Sequence, residues 1–133
     1  MAKTLQPADW VRPRGFSNAL SITGPGRWIV ISGQIGSDAQ GNVVSDDMGA
    51  QTAQAFRNIV RLLAEDGAEP AHLISLTWYV TSRNEYLAAG AAIGAAYKEV
   101  IGKHFPTITL IVVAGLLSER AKVEIEAAAF VPG

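Results

Sequence analysis

Phe105-Pro106-Thr107-Ile108-Thr109-Leu110-Ile111-Val112-Val113-Ala114-Gly115-Leu116 is the stretch on which the fold turns. From Thr107 to Ala114, apolar residues fall on both faces of an extended chain, so this strand needs cover on two sides. Helices packed on one face of a sheet supply the first cover. The second comes either from a central place within one subunit or from another copy of the chain laid on the open face. Downstream, Lys122 to Val131 sets Val123, Ile125, Ala127 and Ala129 against Glu124 and Glu126, the period-two pattern of a last strand. Upstream, Leu73 to Thr81 alternates Ile74, Leu76, Trp78 and Val80 with Ser75, Thr77, Tyr79 and Thr81, a strand half-buried on a core.

Between these strands, Ser82-Arg83-Asn84 begins a helix that runs to about Ile101, with Leu87, Ile93, Tyr97, Val100 and Ile101 on its inner face. His104, just beyond, reads as a charge partner for that helix's C-terminus, and His72 as a surface residue. In the first half, Ser45-Asp46-Asp47 offers capping oxygens to a helix carrying Ala55, Phe56, Ile59, Val60, Leu62 and Leu63, which Gly67 stops. Asn18 to Thr23 and Arg27 to Ser32 flank the turn residues Gly24-Pro25-Gly26 and predict a hairpin. Asp38 to Asn42 gives a further turn before Val43-Val44. Residues 1–15, with Pro7 and Pro13, read as an irregular arm over the body. The order is ββ(β)αβαββ without linker or repeat, which predicts one α/β domain over 1–133: a mixed sheet with two helices on one face.

Composition narrows the function. A chain of 133 residues suits one core. Eleven Lys and Arg against twelve Asp and Glu leave no basic excess to neutralise phosphates, so nucleic acid is a poor partner. The chain has no cysteine and two histidines, and it lacks a nucleophile elbow, a phosphate loop and a dinucleotide fingerprint, so neither metal nor cofactor is expected. No apolar run approaches the roughly 18 residues of a membrane span, and the first residues carry no signal-like core, which predicts a cytoplasmic protein. Apolar residues at 49% against 17% charged make an oily small domain, and part of that excess points to a subunit interface.

The C-terminal stretches resemble the signature of the Rid proteins, also called YjgF. Gly15-Phe16-Ser17-Asn18-Ala19, Ile31-Ser32-Gly33-Gln34-Ile35-Gly36, Gln51-Thr52 with Asn58-Ile59, and Tyr79-Val80-Thr81 extend the likeness from Gly15 to Pro132. The resemblance implies a chorismate-mutase-like fold of the bacillus type, assembled as a homotrimer with a pocket in each cleft between subunits. It implies hydrolytic deamination of reactive imines and enamines. In the deaminating branch an arginine two residues after the proline grips the substrate carboxylate as a bidentate pair, and Ile108 stands at that place here. Glu124 matches the glutamate that positions water. Phe16 takes the place of a pocket tyrosine, Gly33 matches the glycine before the first helix, and Gly94 stands near a helical asparagine.

On this reading Glu124 orients water. Gly33, Gln34 and Ile35 hold a small-molecule substrate beside Ser17, and Phe16, Ile108 and Leu110 form an apolar wall. Arg12 or Arg14, just before Gly15-Phe16, would replace the lost clamp, the plainer alternative being surface arginines on the arm. Glu124 and Glu126 lie two apart on one strand face, which alone fits a solvated face as well as a catalytic one. An aminomuconate-type intermediate is one candidate substrate, because one Rid-like group deaminates such ring-cleavage products. A non-catalytic trimer that binds a small metabolite or an unfolded client is the alternative, and the charge balance disfavours ribonuclease activity.

Overall fold

The computed structural model describes residues 2–133; Met1, the first residue of the predicted arm, lies outside them. The strands are β1 (Ala2–Leu5), β2 (Ala19–Ile22), β3 (Gly26–Ile35), β4 (Leu73–Val80), β5 (Thr107–Val112) and β6 (Val123–Pro132). The helices are α1 (Met48–Glu65), α2 (Arg83–Ala88) and α3 (Gly90–Val100), with a 3-10 turn at Pro70–His72. Four strands form one mixed sheet in the order β3-β6-β4-β5, in which only β4 and β5 run parallel. The parallel pair needs a crossover, and α2 with α3 supplies it.

Phe56, Ile59 and Leu63 of α1 are fully buried, and with Ile93 of α3 they pack on Leu76, Trp78 and Val80 of β4 and on Val123, Ile125 and Ala129 of β6. Phe56 meets the rings of Trp78 and Tyr97 edge-on, with centroids 5.4 and 5.5 Å away. Losing such an anchor costs about 3–5 kcal/mol. The opposite sheet face carries no helix, and there Trp28 is 58% and Val30 81% exposed.

Helix α1 begins as expected. Asp47 caps it, its carboxylate accepting from the Ala50 N–H at 2.9 Å. It also ends as expected: Gly67 takes φ +68°, and the Ala68 N–H closes back on the Leu63 carbonyl at 2.9 Å. Fully buried Gln51 ties α1 to two loops, donating to the carbonyls of Ser45 (2.8 Å) and Arg120 (3.0 Å) and accepting from the Lys122 N–H (2.8 Å). Gly36 lets β3's exit lie on α1, since a Cβ there would sit 2.5 Å from Gln51 Cα.

Several expectations are corrected. The strand at Thr107 is an edge of the sheet and not its centre, so its two apolar faces are not both covered within the subunit; Ile111 and Val112 are 41% and 51% exposed. The hairpin across Gly24-Pro25-Gly26 is not formed. β2 pairs instead with β1, which lies inside the stretch read as an irregular arm. The Pro25 carbonyl accepts from the Gly133 N–H at 3.1 Å, so the residues of the turn prolong the β3 to β6 ladder. The second helix breaks at Ala89, whose φ −87° and ψ 2° leave the helical region before Gly90 restarts it. Val43 joins no strand and forms an isolated bridge with Ser37. The His104 ring bonds away from the end of its own helix: a nitrogen lies 2.6 Å from the carbonyl of Leu73, the cap of the 3-10 turn, and pins the approach to β5 onto β4.

Candidate active site

Register decides which carboxylate is available. On β6, Glu124 lies opposite Tyr79 and Glu126 opposite Thr77, both on the sheet face away from the helices. The Tyr79 hydroxyl donates to Glu126. That bond, then burial, then the charges of Glu126 and Glu124 raise the Tyr79 phenol above its ordinary range. Glu126 is thereby engaged. No side chain or backbone donor among the described residues bonds the Glu124 carboxylate, and the residue is half-buried beside Gly33. The β3 to β6 register shifts between Ile31 and Gln34, and this bulge brings the bare glycine over the carboxylate; a Cβ at Gly33 would lie 2.3 Å from Glu124 Oε2. Gln34 donates to the Ser32 carbonyl across the bulge (3.1 Å). The Ile35 carbonyl is already taken by Ser37 N–H (2.8 Å) and Asn58 Nδ2 (3.2 Å), so it holds the chain in place.

The remaining residues gather elsewhere. Ile108 and Leu110 pair in register with Leu76 and Trp78 and so face the helices. They floor a cavity of about 780 Å³ roofed by α2 and α3. Phe16 and Arg14 stand in its wall. Ser17 fastens that wall, its N–H donating to the Pro106 carbonyl (3.0 Å) and its hydroxyl to that of Phe105 (2.6 Å). Arg12 is not among the lining residues. The sheet therefore separates the predicted site into two groups: Glu124 with Gly33, Gln34 and Ile35 at the β3 to β6 border, and Arg14, Phe16, Ser17, Ile108 and Leu110 around the cavity.

Sequence reasoning missed several cavity residues. Tyr86, Gly90 and Lys98 line one side at four-residue spacing together with Gly94, the position that the resemblance set beside a helical asparagine, and Lys103 and Phe105 join them. The four-residue spacing was the available signal. Tyr97 stacks on Phe105 with centroids 5.9 Å apart, donates to the His104 carbonyl, and has its phenol pushed up to about 12 by burial. At position 108 the cavity floor offers hydrocarbon where a guanidinium would have offered donors.

The family described as Endoribonuclease L-PSP matches residues 12–131. The human 2-iminobutanoate/2-iminopropanoate deaminase is 30% identical over 104 residues, 77% of this chain and 72% of the relative, and a RutC family protein of Pyrococcus abyssi is 28% identical over 116 residues, 86% and 85% of the two chains. The crystal structure of a Rid-family protein of unknown function from Yersinia pestis superposes with a TM-score of 0.83 at 31% identity, covering 98% of both chains.

Proposed function

This chain belongs to the endoribonuclease L-PSP family, the Rid or YjgF proteins, and from that premise we propose that it hydrolyses the C=N bond of a reactive imine, or of an enamine after tautomerisation, to a carbonyl compound and ammonia. The observation that carries this reading is the difference between two neighbouring carboxylates: Glu126 is occupied by Tyr79, whereas Glu124 has unbonded oxygens against the open backbone of Gly33. Glu124 holds a water at the imine carbon and takes a proton from it as the C–O bond forms. Glu124 returns that proton to nitrogen, and as the C–N bond breaks and ammonia leaves it takes the remaining hydroxyl proton while the C=O bond forms, so that the protonated imine and water become a carbonyl compound, ammonia and one proton. A protonated imine accepts water readily, and positioning supplies most of the benefit.

Glu124 and the cavity lie on opposite faces of one chain, so a site that uses both takes each from a different copy. A homotrimer provides that juxtaposition in each of its clefts. The helix-free sheet face with exposed Trp28 and Val30, and the edge strand β5 with exposed Ile111 and Val112, support such an assembly. The name of the human relative supports the reaction type.

The test is ammonia release from a panel of freshly generated imines and aminomuconate-type enamines. Wild-type protein is expected to exceed the uncatalysed rate, and Glu124→Gln to lose about a hundredfold of that excess. Turnover that survives the substitution removes the role of Glu124. No turnover in the wild type favours the second reading, a trimer that binds a metabolite without converting it, which Ile108 in place of a clamp makes specific.

A further inference from the structure

Two glycines of α3 are not explained by the packing of the chain. Gly26, Gly33 and Gly36 each sit where a Cβ would collide with a neighbour, but a Cβ on Gly90 or Gly94 would meet nothing within 4 Å, and neither takes a positive φ. Glycine is among the poorest residues for a helix, and alanine would fit both positions without contact. What both positions share is the cavity, whose wall they form.

The rest of that wall has a consistent chemistry. Its faces are hydrocarbon and aromatic: Ile108 and Leu110 below, with Trp78, Tyr86 and Phe105 around. Trp78 is 4% exposed, and its indole N–H is buried without a hydrogen-bond partner. Arg14, Lys98 and Lys103 line the same cavity, which includes no Asp or Glu, and no carboxylate among the described residues pairs with any of the three. In a chain of net charge −1 this is a local cationic excess on an apolar hollow. A volume of about 780 Å³ suits a ligand with a ring, and a three- or four-carbon acid would leave most of it empty.

We propose that this cavity receives the ring of an aryl-bearing carboxylate whose anionic end is held by Arg14, Lys98 and Lys103, so that the imine substrate is a ring-bearing imino acid. The assignment of an imine rests on the function proposed above; the assignment of ring and carboxylate rests on the cavity. The cations stand apart from the strand position at which the resemblance placed an arginine, and the acid group is therefore held from the helix and N-terminal side.

The test is calorimetric titration of the full chain in its native assembly with three stable probes. Phenylpyruvate has ring and carboxylate, pyruvate lacks the ring, and phenylacetone lacks the carboxylate. Phenylpyruvate is expected to bind about tenfold or more tighter than either of the others, each missing group removing at least that factor. Gly94→Leu fills the hollow and improves helix propensity, so its melting temperature should hold while phenylpyruvate affinity falls about tenfold and that for pyruvate does not. Lys98→Ala should weaken phenylpyruvate and leave phenylacetone unchanged. Equal affinities for phenylpyruvate and pyruvate, or an unchanged phenylpyruvate affinity in a folded Gly94→Leu, overturn the proposal. Because the probes are not turned over, selective binding without ammonia release sinks the hydrolase reading and keeps this one. Hydrolysis of small imines without selective binding does the reverse.

Discussion

Gly33 and Glu124 fit closely, because the outer half of the glutamate side chain occupies the space of the absent Cβ. Gly33→Ala should leave the fold intact, since a flexible side chain can swing away, and should lower turnover by about tenfold or more as the carboxylate leaves its water. A melting temperature close to wild type alongside the lost rate is the expected pair of readings. Periodicity placed Glu124 and Glu126 on one face, and the structure agrees. What periodicity does not convey is that Tyr79 sits across the ladder to engage one of them, because that depends on the register between β4 and β6. Tyr97 offers a readout of burial. Its phenol titrates near 10 in the unfolded chain and about 12 in the folded one, so the unfolded state releases its proton first as pH rises. The stability this group contributes is complete below pH 10 and is lost between pH 10 and about 12. Urea midpoints followed across that window should fall less steeply in Tyr97→Phe than in wild type.

At the level of elements, the local signals that worked were those whose partners lie close in sequence. Asp47 caps α1 through Ala50, and Gly67 ends it through Leu63. The expectations that failed depended on distant partners or on balanced propensities. Gly24-Pro25-Gly26 has the composition of a hairpin turn, but Pro25 bonds to Gly133, at the other end of the chain, and β2 goes to β1. Ala88-Ala89-Gly90 reads as helix, and the break there follows from a single backbone angle at Ala89. Apolar residues on both faces of Thr107 to Ala114 require cover, which the edge position of β5 leaves unmet within one chain. The clasp of Gln51 joins helix to loops across a fully buried side chain. Gln51→Ala strands three backbone groups at once and should cost about 3 kcal/mol or more, visible as a lower urea midpoint at unchanged slope.

Across the whole molecule, the candidate site was legible as a set of residues and illegible as a place. Family resemblance named Glu124, Gly33, Phe16 and Ile108, but sequence has no means of showing that a sheet stands between the first two and the last two. Two half-sites back to back make sense when copies are arranged around an axis, and the exposed face of the sheet is where they would meet. Native mass spectrometry should report three chains per particle, and Trp28→Asp should shift it to single chains. Trp28 is 58% exposed and touches Phe130 edge-on at 5.5 Å, so its loss should fall on the proposed interface more than on the fold of the chain. A single-chain wild type would end the proposed assembly and with it the shared cleft.

The strand β3 runs for ten residues along the border of its sheet, has β6 as its one neighbour there, and carries a single charge, Arg27, which is itself committed to Asp66 at 2.8 Å. Natural proteins usually blunt such a border with short length, lysines or proline. As a solitary chain, and warmed, this protein would offer a long oily rail of vacant amides onto which any extended polypeptide could zip. Fibrous precipitate, and not recovery of the native form, is the fate that follows for a chain left alone with that border open.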